Sequence, residues 1–260
     1  MNNLKASYLL LFILISTILF GCKGSTGPVG PTGPGGPSLT GKLSGLVTLI
    51  DTNGIQPTNR SGVSVTIDGL SKSAMTDSTG KWVIDTLSTG IYAINISKTN
   101  YGMTKRINVQ FTGGGTVFLG TDILSAVPNF SVSNLSYTPG NQYVDIKGNI
   151  SFSSPQSIGR NIILFIGNSS NVSSSPANYL EIVNGFANDT ALTFTQRITT
   201  TNFNQIGIAT GSTAYLVAYS SSAPAANSSR YTDVITGKFI YTSLGTTPSA
   251  VLPIVTPMFR

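Results

Sequence analysis

The chain has 260 residues, enough for two ordinary domains or one large all-β domain. Only 9% of the residues are charged, against roughly 25% in soluble domains at large, and Glu181 is the single Glu. There is no His and one Cys, Cys22, so an imidazole base, an internal disulfide and a Cys-based zinc site are all excluded. The residues imply no cofactor and no metal. The net charge is +6, yet the basic residues are scattered singly from Lys23 to Arg260, with Lys105-Arg106 the one adjacent pair. Nucleic-acid binding would call for a cluster or stripe, so no nucleic-acid partner is expected.

Met1 to Ser7 carries one Lys and polar residues, and Tyr8 to Phe20 is an apolar run too short to span a bilayer comfortably. Gly21 and then Cys22 follow. Leu19-Phe20-Gly21-Cys22 resembles the lipobox of bacterial lipoproteins, with Phe20 standing where that family usually has a smaller residue. The resemblance implies cleavage of residues 1–21 between Gly21 and Cys22, diacylation of the Cys22 thiol and attachment to a membrane. Two acyl chains anchor stably where one would not, since each buried CH₂ contributes roughly 0.8 kcal/mol. An ordinary signal peptide with a leftover thiol, or an uncleaved signal anchor, is the other reading. Lys23 takes the place of the Asp that retains some lipoproteins in the inner membrane, which favours the outer membrane, with the face undetermined.

From Gly24, glycine recurs at Gly27, Gly30, Gly33 and Gly36, with Pro28, Pro31, Pro34 and Pro37 after it. The tract resembles a collagen-like Gly-X-Y repeat. So short a run cannot offset the ordering entropy of a triple helix by itself. Residues 22–38 therefore read as a polyproline-II spacer reaching roughly 45 Å when extended. A monomer is expected, and a trimer held by this tract is the minority reading.

Residues 39–124 alternate apolar and polar positions between turn signals. Strands are expected at Leu43–Ile50, Gly62–Asp68, Lys72–Thr76, Lys81–Leu87, Gly90–Ser97, Lys105–Phe111 and Thr116–Leu119. Val63, Val65 and Ile67 share one face, as do Trp82 with Ile84. Asp77-Ser-Thr-Gly80 is a turn, and Gly113-Gly-Gly115 is a hairpin turn because no Lys and helix follow it as in a phosphate loop. Asp51-Thr-Asn-Gly54 is also a turn, lacking the later ligands of a calcium loop. Gly45-Leu-Val47, Gly62-Val63-Ser64-Val65, Thr76 to Trp82, Gly90-Ile91-Tyr92 and Tyr101-Gly102 stand in an order that resembles the carboxypeptidase regulatory-like domain. That resemblance implies a transthyretin-like sandwich with no peptidase activity of its own, used as a stalk, spacer or binding accessory. A Lys–Asn isopeptide bond promoted by a buried acid, as some surface sandwiches form, would draw on Lys42 with Asp122 or Asn108 in those roles; ordinary surface Lys and Asp is the other reading. The promoting Glu is missing from this module.

In residues 125–260, strands are expected at Phe130–Tyr137, Tyr143–Phe152, Asn161–Ile166, Tyr179–Val183, Ala191–Ile198, Thr213–Ser220, Thr232–Ile235 and Lys238–Tyr241. Val144 and Ile146 point inward, with an irregularity at Gly148. Asn161 to Ile166 is a continuous apolar run that suits a central strand. Tyr215-Leu-Val-Ala-Tyr219 resembles the penultimate strand of fibronectin type III or immunoglobulin-like sandwiches, where a Tyr ties back to a nearby loop. The fold class expected is all-β: two tandem antiparallel β-sandwich domains behind a signal peptide and a Gly/Pro-rich spacer.

Residues 169–177 and 220–230 are the loops expected to make contacts. Tyr101, Tyr137, Tyr179, Tyr231 and Tyr241 could form an aromatic platform, although most should pack within the fold. Without His, and with Cys22 committed to lipid, no nucleophile has an evident base. The acids of the second module, Asp145, Glu181, Asp189 and Asp233, are isolated in sequence, so no carboxylate pair for glycoside hydrolysis is evident. No enzyme is expected. A membrane-anchored, structural or adhesive binding lipoprotein is expected, and the alternative is an accessory that captures carbohydrate or peptide for uptake.

Overall fold

The computed structural model describes residues 27, 39–151, 159–188 and 191–258. Gly21, Cys22, the spacer pattern, Phe152 and Asp189 lie outside these residues. The chain divides into two units, Met1–Pro37 and Ser38–Arg260, and all strands below belong to the second.

The first seven strands are β1 (Thr40–Ile50), β2 (Ser64–Ile67), β3 (Ser73–Met75), β4 (Lys81–Ser88), β5 (Gly90–Ser97), β6 (Met103–Phe111) and β7 (Thr116–Ser125). Period-two alternation sends one side of a strand inward, as at the start of β4, where Trp82 and Ile84 are buried while Val83 is exposed. Two sheets result, ordered β4-β1-β7 and β3-β2-β5-β6. Between them lie Leu43, Val47, Val63, Val65, Ile67, Trp82, Ile84, Ile94, Ile96, Phe111 and Leu124. β1 and β7 pair in parallel, the one departure from the antiparallel expectation in these sheets. Five strands separate them, ample chain for the crossover a parallel pair requires. The Asp77 turn forms as the sequence indicates, its Oδ1 accepting from the Thr79 and Lys81 amides at 2.9 and 3.0 Å. Gly80 follows at φ +88°, where an added Cβ would also lie 2.2 Å from the Val47 carbonyl oxygen.

A seven-stranded sheet follows, built from β8 (Ser131–Pro139), β9 (Tyr143–Ser151), β10 (Gly159–Gly167), β11 (Glu181–Asn188), β12 (Thr193–Thr199), β13 (Thr213–Ser221) and β16 (Leu252–Val255). Its order is β16-β13-β10-β11-β12-β9-β8, antiparallel throughout. The sheet curls until β8 meets β13 and β16. Within it lie Val132, Val144, Ile146, Ile150, Ile162, Leu164, Ile166, Phe194, Ile198, Leu216 and Ile254, with Phe203 supplied by the short helix α1 (Thr200–Gln205). The irregularity expected at Gly148 falls instead in β8, between Ser133 and Ser136, where Asn134 has φ +50°. Gly148 keeps the strand regular and makes room for a ring, since a Cβ there would lie 2.5 Å from the Phe194 side chain.

The apolar run in β10 has a specific cause: both faces of the strand are buried. Ile162, Leu164 and Ile166 enter the curled sheet, whereas Ile163 and Phe165 enter an outer cluster with Val172, Tyr179, Val217, Ala225 and Tyr241. Phe165 meets Tyr179, Tyr219 and Tyr241 edge-on, with ring centroids at 5.1, 5.4 and 5.7 Å. Part of the cover is a hairpin, β14 (Arg230–Thr232) and β15 (Phe239–Tyr241). The strand expected at Thr232–Ile235 ends at Thr232, because Asp233 Oδ2 accepts from the Thr236 amide at 3.0 Å and closes a turn. Asp233 thus removes Val234 and Ile235 from strand pairing and leaves them exposed. β16 was not anticipated; its Pro253 breaks a strand pattern, but it sits at a sheet edge where the missing N–H costs nothing.

Candidate functional site

Buried serines join the two cores. Ser125, at the end of β7, Ser229 and Ser243 are fully buried. The Ser125 amide donates to Ser229 Oγ at 2.8 Å, the Ser229 amide donates to Ser125 Oγ at 2.9 Å, and the Ser125 and Ser243 hydroxyls lie 2.7 Å apart. Ser222 Oγ donates to the Ala126 carbonyl at 2.7 Å and Ser220 Oγ to the Phe130 carbonyl at 2.6 Å. Arg160, on β10, reaches back to donate to the Thr52 carbonyl at 3.1 Å and Asn53 Oδ1 at 3.2 Å. Reciprocal bonds of this kind leave few buried polar groups unmatched, which is what makes a polar interior tolerable.

Both loops expected to make outside contacts are therefore partly committed inward. Ser220, Ser222 and Ser229 belong to the junction just described, while Ser221 and Ser228 bond within their own loop. In residues 169–177, Val172 is buried in the outer cluster and the Ser174 amide donates to the Tyr219 hydroxyl at 3.4 Å. The Tyr219 contact is the tie from strand to loop that the sequence suggested.

The tyrosines do not form a platform. Tyr179 and Tyr241 are buried, Tyr101 and Tyr137 pack against the two cores, and Tyr231 is half-buried. The Tyr179 hydroxyl donates to the Phe239 carbonyl at 2.9 Å, and burial pushes its pKa up to about 12.

The carboxylates are likewise committed. Lys42 pairs with Asp85 at 2.8 Å, and Arg106 Nε holds both oxygens of Asp122 at 2.9 and 3.0 Å. Asn108 is exposed on β6 at φ +56°. Lys42 is thus engaged with neither isopeptide partner suggested for it. Asp68 accepts from Lys105 and Asn95, while Asp145 is gripped by Arg197 Nε and Nη2 at 2.8 and 2.9 Å. These bonds hold the Asp68 and Asp145 carboxyls below the usual carboxylate range, and Thr79 and Thr236 do the same for Asp77 and Asp233. Burial acts oppositely on Asp122 and raises it despite Arg106. Glu181 accepts from the Ile182 amide at 2.8 Å. Among the described residues no three His, Cys, Asp or Glu side chains come together as a metal site.

One cleft opens beside the serine junction. It measures about 720 Å³ and is lined by Asp51, Thr52, Asn100, Tyr101, Ala126 and Val127. Its walls come from the turn after β1, the turn before β6 and the segment after β7, so it forms only when these elements are brought together. Asp51 Oδ1 accepts from the Asn53 and Ile55 amides at 2.8 and 2.9 Å, which makes the Asp51–Gly54 segment the turn the sequence indicated. Tyr101 and Ala126 form an isolated bridge, and the Val127 amide donates to the Asn100 carbonyl at 2.9 Å. Burial, then the Asp51 charge, raises Tyr101 above the ordinary phenol pKa. No local pattern marks this cleft, since its residues span positions 51 to 127.

Strand pairing and the two cores define an all-β, β-sandwich-like protein. No protein-family model and no curated protein matches the chain. Among solved structures, a chain of a cohesin–X-dockerin complex from Acetivibrio cellulolyticus is 29% identical over 33% of this chain, with a TM-score of 0.29. That match spans 57% of the Acetivibrio chain. A candidate carbohydrate binding protein from Bacteroides uniformis is 11% identical over 84% of this chain and 99% of its own, at a TM-score of 0.31. A DUF3823 family protein from Parabacteroides merdae is 15% identical over 80% of this chain and 98% of its own, at 0.25. Among the described residues, no helix is long and apolar enough to cross a membrane.

Proposed function

We propose that the chain is a non-catalytic, extracytoplasmic binding module, lipidated at Cys22 after cleavage behind Gly21 and held off the membrane by the Gly-Pro spacer. The observation that carries the non-catalytic part is the use of the described carboxylates. Each closes a turn, pairs with a cation or bonds backbone. The lipobox resemblance supports the tether, and the outer membrane is the compartment it favours. Residues 39–124 then serve as the stalk-like part and residues 125–260 as the presenting part, welded by the serine junction.

Membrane fractionation tests the tether. Cys22→Ala should move the protein from the membrane fraction to the soluble one, whereas retention of the variant would point to an uncleaved anchor. A screen with chromogenic glycosides and esters tests the rest, with no turnover expected. Turnover abolished by Asp51→Asn or Asp145→Asn would overturn the non-catalytic reading. The junction cleft favours a second reading, in which the module captures a soluble or polymeric ligand and does not only space or adhere.

A further inference from the structure

The cleft beside the serine junction leaves side-chain hydrogen-bonding capacity unused, beside an aromatic ring. Asp51 spends Oδ1 on its turn, and Oδ2 makes no hydrogen bond. Among the described residues, the side chains of Thr52 and Asn100 and the Tyr101 hydroxyl also have no hydrogen-bond partner, although all four residues line the same cleft. Four backbone amides there are spent: the Ala126 amide donates to Ile50, Val127 to Asn100, Tyr101 to Lys98 and Gly102 to Ser125. A peptide adding itself as a strand would need such groups free. What remains is a carboxylate oxygen, an amide, two hydroxyls and an aromatic wall, a set that suits a ligand rich in hydroxyls and without negative charge. The volume lies within the roughly 300–1,000 Å³ range of small-molecule clefts.

We propose that this cleft binds a neutral glycan, with the Tyr101 ring as its apolar wall and Thr52, Asn100 and Asp51 Oδ2 bonding sugar hydroxyls. The proposal rests on the reading of the chain as a binding module and names the ligand class of that module. Asp51 Oδ2 accepts from sugar hydroxyls, and the cations beside it are committed to backbone: Arg160 to the Thr52 carbonyl, and Lys98, 6.0 Å from the Tyr101 ring centroid, to the Ser61 carbonyl.

The test uses the full chain in detergent against immobilised neutral oligosaccharides of glucose, mannose, galactose and N-acetylglucosamine, with polygalacturonate and an extended-peptide library alongside. Asn100 sits at φ +66°, so Asn100→Gly keeps the backbone and removes only the amide. Thr52→Val removes the hydroxyl at nearly constant volume. At least one neutral class should bind, and each variant should weaken it about tenfold with an unchanged thermal midpoint, the loss expected for one or two hydrogen bonds. Binding undiminished in both variants would put the sugar elsewhere and overturn the proposal. Polygalacturonate or peptide bound in preference to neutral sugar would overturn it too. If nothing binds while Cys22→Ala still releases the protein from membranes, the glycan assignment fails and the tether stands.

Discussion

Strands β4 and β10 show how differently the two halves of this molecule use a sheet. β4 alternates from Lys81 to Asp85, with Trp82 and Ile84 inward and Val83 in solvent, because the first sandwich has one core and its outer faces are wet; Thr86, at φ +54°, then shifts the register and brings Leu87 inward. β10 is buried along Ile162 to Ile166, because the curled sheet encloses one core and carries a second, aromatic one outside. The first half is stabilised by two sheets closing on each other. The second depends on loops and a hairpin folding back over a strand that would otherwise present Phe165 to water.

That contrast can be broken at its outer face. Phe165→Ala should destabilise the protein by about 3–5 kcal/mol, as for other buried aromatic truncations, whereas Val83→Ala on β4 should stay within about 0.5 kcal/mol. Denaturant titration of both variants checks the difference, and near-equal losses would mean that the outer cluster contributes little. The serine junction comes next. Ser125→Ala takes the Ser125 Oγ partner from the Ser243 hydroxyl and leaves the Ser229 amide with Ser243 Oγ alone, at 3.0 Å, and a loss of about 1–3 kcal/mol is expected in the same titration.

Gly45 probes the first core alone. A Cβ there would lie 2.7 Å from the buried Trp82 ring, so Gly45→Ala should cost about 1–3 kcal/mol and alter the Trp82 fluorescence. The Phe165 and Ser125 variants should leave that signal in place.

The smallest effect separates two carboxylates by pH. Arg197 holds Asp145 below its unfolded-state pKa, so the stability it gives is present at neutral pH and is lost as pH falls through the depressed value. Burial holds Asp122 above its unfolded-state pKa, so its contribution is full in acid and is lost as pH rises through the raised value. Asp145→Asn should flatten the acid loss of stability and Asp122→Asn should steepen it, read as denaturation midpoints from neutral to acidic pH.

Most strands were legible because burial on one face imposes a period of two, and burial on both faces imposes a run. Asp77 and Asp51 announced their turns through the Asx bonds they make. Pro253 concealed β16, since a sequence pattern does not say which strand is at an edge. The serines of residues 220–230 misled for a related reason: Ser in a loop looks solvent-facing unless its reciprocal partners, Ser125 and Ser243, are known to lie against it. The same blindness applied to the cleft, whose residues meet only after the chain has folded.

The sequence by itself determined the all-β class, the inward faces, the principal turns and the chemistry that is missing, because these depend on residue type and local spacing. Tertiary structure decided that one sheet would curl on itself, that β10 would serve two cores, that polar loops would become an interior junction, and that Asp51, Thr52, Asn100 and Tyr101 would share a cleft. Those outcomes depend on contacts between residues far apart in the chain, to which local pattern carries no information.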